Sequence, residues 1–184
     1  MAVPPPAPST KNELRRSLRA ARKAAADRIV PAAQAFIDRL RPGLVVASYH
    51  PVGGEADPRL LSAAAQAAGC GLALPHVVDR ATPLVFLAWI GETLLPGPFG
   101  LQQLSPDAPR VTPDIILTPL VGFDRAGNRL GQGAGHYDRA FAEFPRAWRV
   151  GVAFSVQEVA RLPSDPWDVP LNAIATDTEW IAPA

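Results

Sequence analysis

The residues with the most chemical potential lie together, between positions 122 and 139. Glycines at 131, 133 and 135 alternate with Gln132 and Ala134 just ahead of a predicted helix. Glycine lets the backbone take a positive φ and approach a ligand without a Cβ in the way. Successive exposed N–H groups followed by a helix N-terminus make a nest for an anion such as phosphate. Arg129, at the mouth of the loop, could add a bidentate phosphate contact. Asp138, in the first turn of the helix, could hold a magnesium ion bridging those phosphates. On spacing alone, a flexible turn also explains the glycines, and a favourable charge at a helix start also explains Asp138. The loop is not a P-loop, because no Gly-Lys-Ser/Thr follows, and its G-x-G-x-G spacing is not the dinucleotide fingerprint. It points to phosphate without saying whose.

Two kinds of element must position this loop. The first is a basic helix. Thr10 followed three residues later by Glu13 is a capping box, and Leu14, Leu18, Ala21 and Ala25 follow at helical spacing. Between positions 11 and 28 seven basic residues face two acidic ones, so the remainder of the chain is near −4 although the total is only +1. Lys11, Arg15 and Arg19 stack at i, i+4 and i+8, where like charges repel and a bound anion would relieve them. A solvated basic face is the plainer reading of that spacing taken alone.

The second kind is a set of apolar strands alternating with helices. Runs at 44–49, 71–74, 84–90, 114–118, 149–154 and 172–176 read as strands, the third near an edge. Helices are predicted over 31–40, from Asp57-Pro58 to Ala68, over 137–144 and over 156–161, with a long connection at 91–112. Such alternation predicts a mostly parallel sheet covered on both faces, with ligands bound outside the carboxyl ends of the strands. The site is therefore expected in loops 50–57, 75–79, 119–138 and 163–170.

Length and composition bound the answer. A chain of 184 residues suits one domain. Its net charge excludes a globally basic nucleic-acid binder, and the single cysteine, Cys70, excludes a disulfide framework or a multi-cysteine zinc site. No apolar run has the length of a membrane span, and the proline-rich start does not read as a signal peptide. A cytoplasmic monomer is expected, with residues 1–9 a disordered extension and 10–184 a single domain. His50, His76 and His136 are too scattered for a metal triad. Trp89, Trp148, Trp167 and Trp180 read as packing, with Trp167 beside Asp168 the one closest to the predicted site. Arginine outnumbers lysine 16 to 2, which puts weight on Lys11.

The block Asn128-Arg129-Leu130-Gly131, Gly133, Gly135, Tyr137-Asp138-Arg139, preceded by Gly122-Phe123-Asp124, resembles the signature of the 5-formyltetrahydrofolate cyclo-ligases, also called 5,10-methenyltetrahydrofolate synthetases. Lys11 with Leu14-Arg15 is similar to the family's N-terminal motif, and Tyr49-His50-Pro51 with Glu55 to its folate-side loop. The run from Leu95 to Gly100, and Gln157 followed by Asp168, resemble further motifs in the family's order.

The resemblance implies a Rossmann-like three-layer α/β sandwich with a mostly parallel sheet, in agreement with the alternation above. It implies a reaction in which ATP and 5-formyltetrahydrofolate give 5,10-methenyltetrahydrofolate, ADP and phosphate, with magnesium and without membrane or nucleic-acid partners. ATP would be held by Lys11, Arg15, Arg129, Leu130, Gly131, Gln132, Gly133, Ala134, Gly135, His136 and Tyr137, and Arg129 and Asp138 would serve catalysis. Asp138 and Asp168 would hold magnesium, and His50, Glu55 and Phe99 would contact the folate. Phosphoryl transfer to the formyl oxygen would make it a leaving group for attack by N10, a step that calls for positioning and charge neutralisation and not for a protein nucleophile.

The chain departs from the family at Gln103-Leu104, where Glu-Pro is frequent, at Gln132, where arginine is, at Asn172, where aspartate is, and at Asp165, where glutamate is. A family relative acting on another substrate, and a nucleotide- or RNA-binding module using the basic helix, remain open on the sequence.

Overall fold

The computed structural model describes residues 10–165 and 168–183. The proline-rich segment 1–9 and Trp167 lie outside the described residues. Helix α1 is Lys11–Ala24 and starts at the expected capping box. The Glu13 amide donates to Thr10 Oγ1 at 3.3 Å, and the Thr10 amide donates to the Glu13 carboxylate at 2.8 Å. The helix stops four residues short of Arg28, where the basic segment ends, and its last turn tightens into i→i−3 bonds such as Ala25 N–H to Arg22 O, 3.1 Å.

The remaining elements are α2 (Gln34–Ile37), β1 (Val45–Ala47), α3 (Arg59–Ala67), β2 (Gly71–His76), β3 (Val85–Trp89), β4 (Leu95–Pro96), β5 (Gln102–Gln103), β6 (Ile115–Pro119), β7 (Gly122–Phe123), β8 (Arg129–Leu130), α4 (His136–Glu143), β9 (Trp148–Val152), β10 (Ala173–Ala175) and β11 (Trp180–Ile181). Among the described residues no helix is long and apolar enough to cross a membrane.

Seven strands form the central sheet in the order β11-β10-β9-β6-β1-β2-β3. The five inner strands are parallel, and β3 and β11 close the edges antiparallel. The period-2 alternation of the strands sorts their side chains onto two cores. Val46, Leu72, Leu117 and Val150 face one way, against Phe36 of α2 and Leu61 and Ala65 of α3. Ala47, Ala73, Ile116 and Ile174 face the other way, against Ala140 and Phe141 of α4. These are the three layers expected.

Several local expectations are corrected. The helix expected from Pro31 begins only at Gln34, from an extended Ala33 with no side-chain cap, and the burial of Phe36 anchors it. Pro75 does not end its strand. Pairing of β2 with β1 stops at Ala73, so the missing proline N–H forfeits no bond on that side. The connection 91–112 contains the β4–β5 hairpin, turned by a 3₁₀ segment over Pro98–Gly100. Its far end covers the edge of β3, with Ala88 N–H on Pro109 O at 2.8 Å and Val111 N–H on Phe86 O at 2.9 Å. The helix expected over 156–161 is only a 3₁₀ turn, Ser155–Gln157. Past it the chain runs extended beside β7, with Val159 N–H on Phe123 O at 2.9 Å.

The β7–β8 hairpin matters most for the site, because it aims Arg129. Buried Asp124 braces it by accepting the amides of Ala126, Asn128 and Leu162 at 3.1, 3.1 and 2.9 Å. Gly127 turns the hairpin at φ +86°, and a Cβ there would meet Leu171 O at 2.7 Å. Gly127→Ala is therefore expected to destabilise the fold by about 2 kcal/mol, from left-handed strain plus a displaced backbone. Chemical denaturation of both proteins measures this; an unchanged midpoint would show that the hairpin yields freely.

Candidate active site

The strand order reverses between β1 and β6. From β1 the chain moves outward through α3 to β2, and from β6 it moves the opposite way to β9 and β10. Such a switch point opens a crevice at the carboxyl ends of the strands. A cleft of about 550 Å³ lies there. Every residue the sequence assigned to the site lines it: Lys11, Arg15, His50, Glu55, Phe99, the run 129–137, Asp138 and Asp168. All four predicted loops contribute, the last through Asp165 and Asp168.

Lys11, Arg15 and Arg129 line the cleft beside the glycine loop, together with the carboxylates Asp138, Asp165 and Asp168. Lys11 Nζ bonds Asp165 and lies 3.1 Å from Asp168 Oδ2. Burial pushes the Asp168 carboxyl up, but the Asp165 amide and the Lys11 ammonium outweigh it and hold the group below its ordinary range. Arg15 donates to Gly131 O at 2.9 Å, joining α1 to the glycine loop. Gly133 and Gly135 take φ of +103° and +67°, and Gly135 caps α4 directly. Gly131 has no positive φ, so only two of the three alternating glycines are needed for left-handed backbone.

Arg129 is not free at the mouth of the loop, as the sequence suggested. Its side chain is 7% exposed, bonded to Asp138 and laid 4.8 Å over the Phe141 ring. Burial lowers its pKa against the opposing pull of Asp138 and Asp168, and its Nε has no hydrogen-bond partner among the described residues. Hairpin geometry explains the difference, since β8 turns the side chain inward toward α4. The guanidinium and Asp138 thus form one unit in the wall of the cleft.

Tyr49, His50, Glu55, Phe99 and Gln103 also line the cleft, and the Gln132 amide of the glycine loop reaches Glu55 Oε1 at 3.5 Å. Tyr49 donates its hydroxyl to Ala56 O, which fixes the loop after β1. Glu55 is buried, and burial raises its carboxyl pKa against the Val52 amide and Arg22. Phe99 stands at the rim, 60% exposed, with φ +59°. For a bulky side chain that is a strained conformation. Arg80 lies 5.5 Å over its ring.

Some residues of this region escaped the sequence reading. Arg139 clasps the glycine loop, donating to Ala134 O at 3.1 Å and to Arg80 O at 2.8 Å, with His136 Nδ1 3.1 Å away. Desolvation and then Arg139 lower the His136 pKa. Gln157, fully buried, accepts the Phe154 amide at 2.7 Å and donates to the carbonyls of Leu120 and Val121 at 2.9 and 3.1 Å. That ties down the chain between β6 and β7. Position in the Tyr137-Asp138-Arg139 run was the only sequence signal for Arg139. Gln157 belongs to a motif of the sequence, but its role depends on contacts with distant backbone that the sequence does not display.

Among the described residues no group of three or more histidine, cysteine or carboxylate side chains could hold a metal unaided. Magnesium does not need one. It usually takes one or two carboxylates, several waters and substrate phosphates. Asp138 and Asp168, on walls of the same cleft beside the glycine loop, fit that donor set.

An open, doubly wound α/β sheet with a cleft at its switch point places this chain among the α/β proteins, a class in which ligands bind at that position. Comparison with known proteins narrows the class. The chain belongs to the 5-formyltetrahydrofolate cyclo-ligase family, whose model matches residues 7–177. It is 40% identical over 95 residues to the 5-formyltetrahydrofolate cyclo-ligase of Haemophilus influenzae, a stretch covering 48% of this chain and 51% of that protein. In the first such relatives the match spans 51% to 39% of their length. Against the cyclo-ligase of Mycolicibacterium smegmatis it is 29% identical over 183 residues, covering 92% of this chain and 94% of the relative. The solved structure of Aquifex aeolicus 5,10-methenyltetrahydrofolate synthetase superposes with a TM-score of 0.70 at 28% identity, over 94% of this chain and 92% of that one.

Proposed function

We propose that this chain converts 5-formyltetrahydrofolate to 5,10-methenyltetrahydrofolate with ATP as co-substrate, releasing ADP and phosphate. One observation carries the reading beyond family membership. A single continuous cleft is lined by Lys11, Arg15 and residues 129–138 and also by Glu55 and Phe99. Lys11, Arg15 and the glycine loop suit a triphosphate. The wall at Glu55 and Phe99 suits a planar heterocycle, with Glu55 accepting its N–H donors and His50 and Phe99 contacting the rest of the substrate.

The residues' roles follow from that placement. Lys11 and Arg15 neutralise phosphate charge, and the backbone from Leu130 to Tyr137 cradles it. Arg129, locked by Asp138 and Phe141, presents a preorganised guanidinium toward the transferred phosphoryl. Asp138 and Asp168 would hold magnesium, which when bound supplies charge neutralisation on the phosphates. The formyl oxygen accepts the γ-phosphoryl, N10 attacks the formyl carbon, and the C–O bond breaks with loss of phosphate. In-line alignment supplies most of the catalysis.

The departures from the family pattern leave this reading in place. Gln103 uses both ends of its amide on Val77, accepting the backbone N–H at 3.1 Å and donating to the carbonyl at 3.2 Å. Gln132 accepts from Arg19 Nε and a terminal nitrogen at 3.1 and 2.7 Å, which ties α1 to the glycine loop although Arg19 does not itself line the cleft. Asn172 accepts the Arg149 amide at 2.9 Å and does not line the cleft. Lys11, Arg15 and Arg19 all turn to partners around the cleft, which favours a nucleotide over an RNA backbone as the ligand of the basic helix.

The reading is tested by product accounting. Phosphate release from Mg-ATP is expected to require 5-formyltetrahydrofolate and to match methenyl product one for one. ATP hydrolysis indifferent to the folate would overturn it.

A further inference from the structure

Glu55 is a carboxylate almost wholly buried in the cleft wall, and a second buried charge stands behind it. Arg22 is 3% exposed. It follows Leu14 and Leu18 at four-residue intervals, so α1 carries a guanidinium into its packed stripe. One terminal nitrogen donates to Leu120 O at 3.3 Å and lies 3.5 Å from Glu55 Oε1, while the other donates to Gly53 O at 3.0 Å. Its Nε has no partner among the described residues. The loop approaches this closely because Gly53 and Gly54 take φ of +57° and +77°. A Cβ at Gly54 would lie 3.4 Å from the Lys23 backbone. Burying a guanidinium is costly unless it is paired, and the carboxylate it faces lines the substrate cleft although Arg22 itself does not.

We infer that Arg22 is a positioning residue for substrate recognition: from behind the wall its guanidinium holds the Glu55 carboxylate in place and favours its charged form, as an acceptor for N–H donors of the substrate ring. The inference rests on reading Glu55 as a folate contact. Its physical basis is a balance at Glu55. Burial pushes the carboxyl up and prevails, against the downward pull of the Val52 amide at 3.2 Å, Arg22 and the Gln132 amide. The other groups around it are the phenols of Tyr49, after β1, and Tyr137, on α4, both raised by burial, and Arg19 beyond Gln132. Among the described residues Arg22 is the only cation paired with Glu55. Without it the carboxyl would take up a proton at higher pH, and a protonated carboxyl turns a donor toward donors.

The test is a cycle of Arg22→Gln, Glu55→Gln and the double variant, each followed by kcat/KM for 5-formyltetrahydrofolate against pH and by KM for ATP. Arg22→Gln is expected to lower kcat/KM for the folate about tenfold or more at neutral pH. Its acid limb should move up by about one pH unit, with much less change in KM for ATP. In the Glu55→Gln background the Arg22 substitution should add little, because its target is already gone. If Arg22→Gln alone does not fold, the double variant, which buries neither charge, decides by matching Glu55→Gln in folate KM. An unmoved acid limb, or a further large rise in folate KM in the double variant, overturns the positioning role. If Glu55→Gln itself leaves folate KM unchanged, it is the folate reading of Glu55 that fails.

Discussion

Replacing Asp138 with asparagine is expected to cut magnesium-dependent turnover by about a thousandfold or more, the size of effect that follows loss of a major source of phosphoryl charge stabilisation. Asp138 sits in the first turn of α4, three residues past the left-handed Gly135, and its carboxylate faces the cleft while bonding Arg129. Asparagine is nearly isosteric but carries no charge. It would weaken any magnesium contact and leave the buried Arg129 guanidinium without its counter-ion. The second consequence is a loss of stability, because a buried charge stripped of its partner is costly. Thermal unfolding must therefore accompany the kinetics. A variant that is folded at the assay temperature and inactive supports the role of Asp138 at the phosphates. Full turnover in a folded Asp138→Asn would remove it from catalysis.

Lys11→Ala should raise KM for ATP by about ten- to a hundredfold, the value of one or two charge-assisted hydrogen bonds to phosphate. Stability should change little. The Lys11 contacts with Asp165 and Asp168 are partly exposed, and such pairs contribute at most about 1 kcal/mol. Losing Lys11 also leaves Asp165 and Asp168 unpaired at the entrance, which adds repulsion toward the triphosphate and makes the ATP effect more salt-sensitive. ATP titration at two ionic strengths reads this. Unchanged ATP affinity would assign Lys11 to loop closure alone. A salt-dependent loss of RNA binding in the same variant would favour the nucleic-acid reading of the basic helix.

Much of the architecture was legible in the sequence because it follows strong local rules. The Thr10–Glu13 capping box fixed the start of α1, and the apolar runs became β1, β2, β3, β6, β9 and β10. The elements that escaped, the hairpins β4–β5 and β7–β8 and strand β11, are two-residue strands. At that length neither periodicity nor propensity gives a signal, and their pairing comes from tertiary context.

The site divides in the same way. The glycine loop and Lys11, Arg15, Glu55 and Asp168 could be picked out by type and motif. The burial of Arg129 could not, since it depends on which way β8 turns inside an unseen hairpin. Arg22 left a faint trace. It continues the Leu14–Leu18 spacing, but in a helix so basic it read as part of the solvated face, and only the packing of α1 on the loop after β1 shows otherwise.

The most direct measurement is the absorbance of the methenyl product when purified protein is mixed with 5-formyltetrahydrofolate and Mg-ATP. The methenyl chromophore should appear with enzyme, and should fail to appear without ATP, without magnesium, or with Asp138→Asn. ATP bound by a folded protein with no methenyl product formed would contradict the proposed reaction and leave only the family and the cleft.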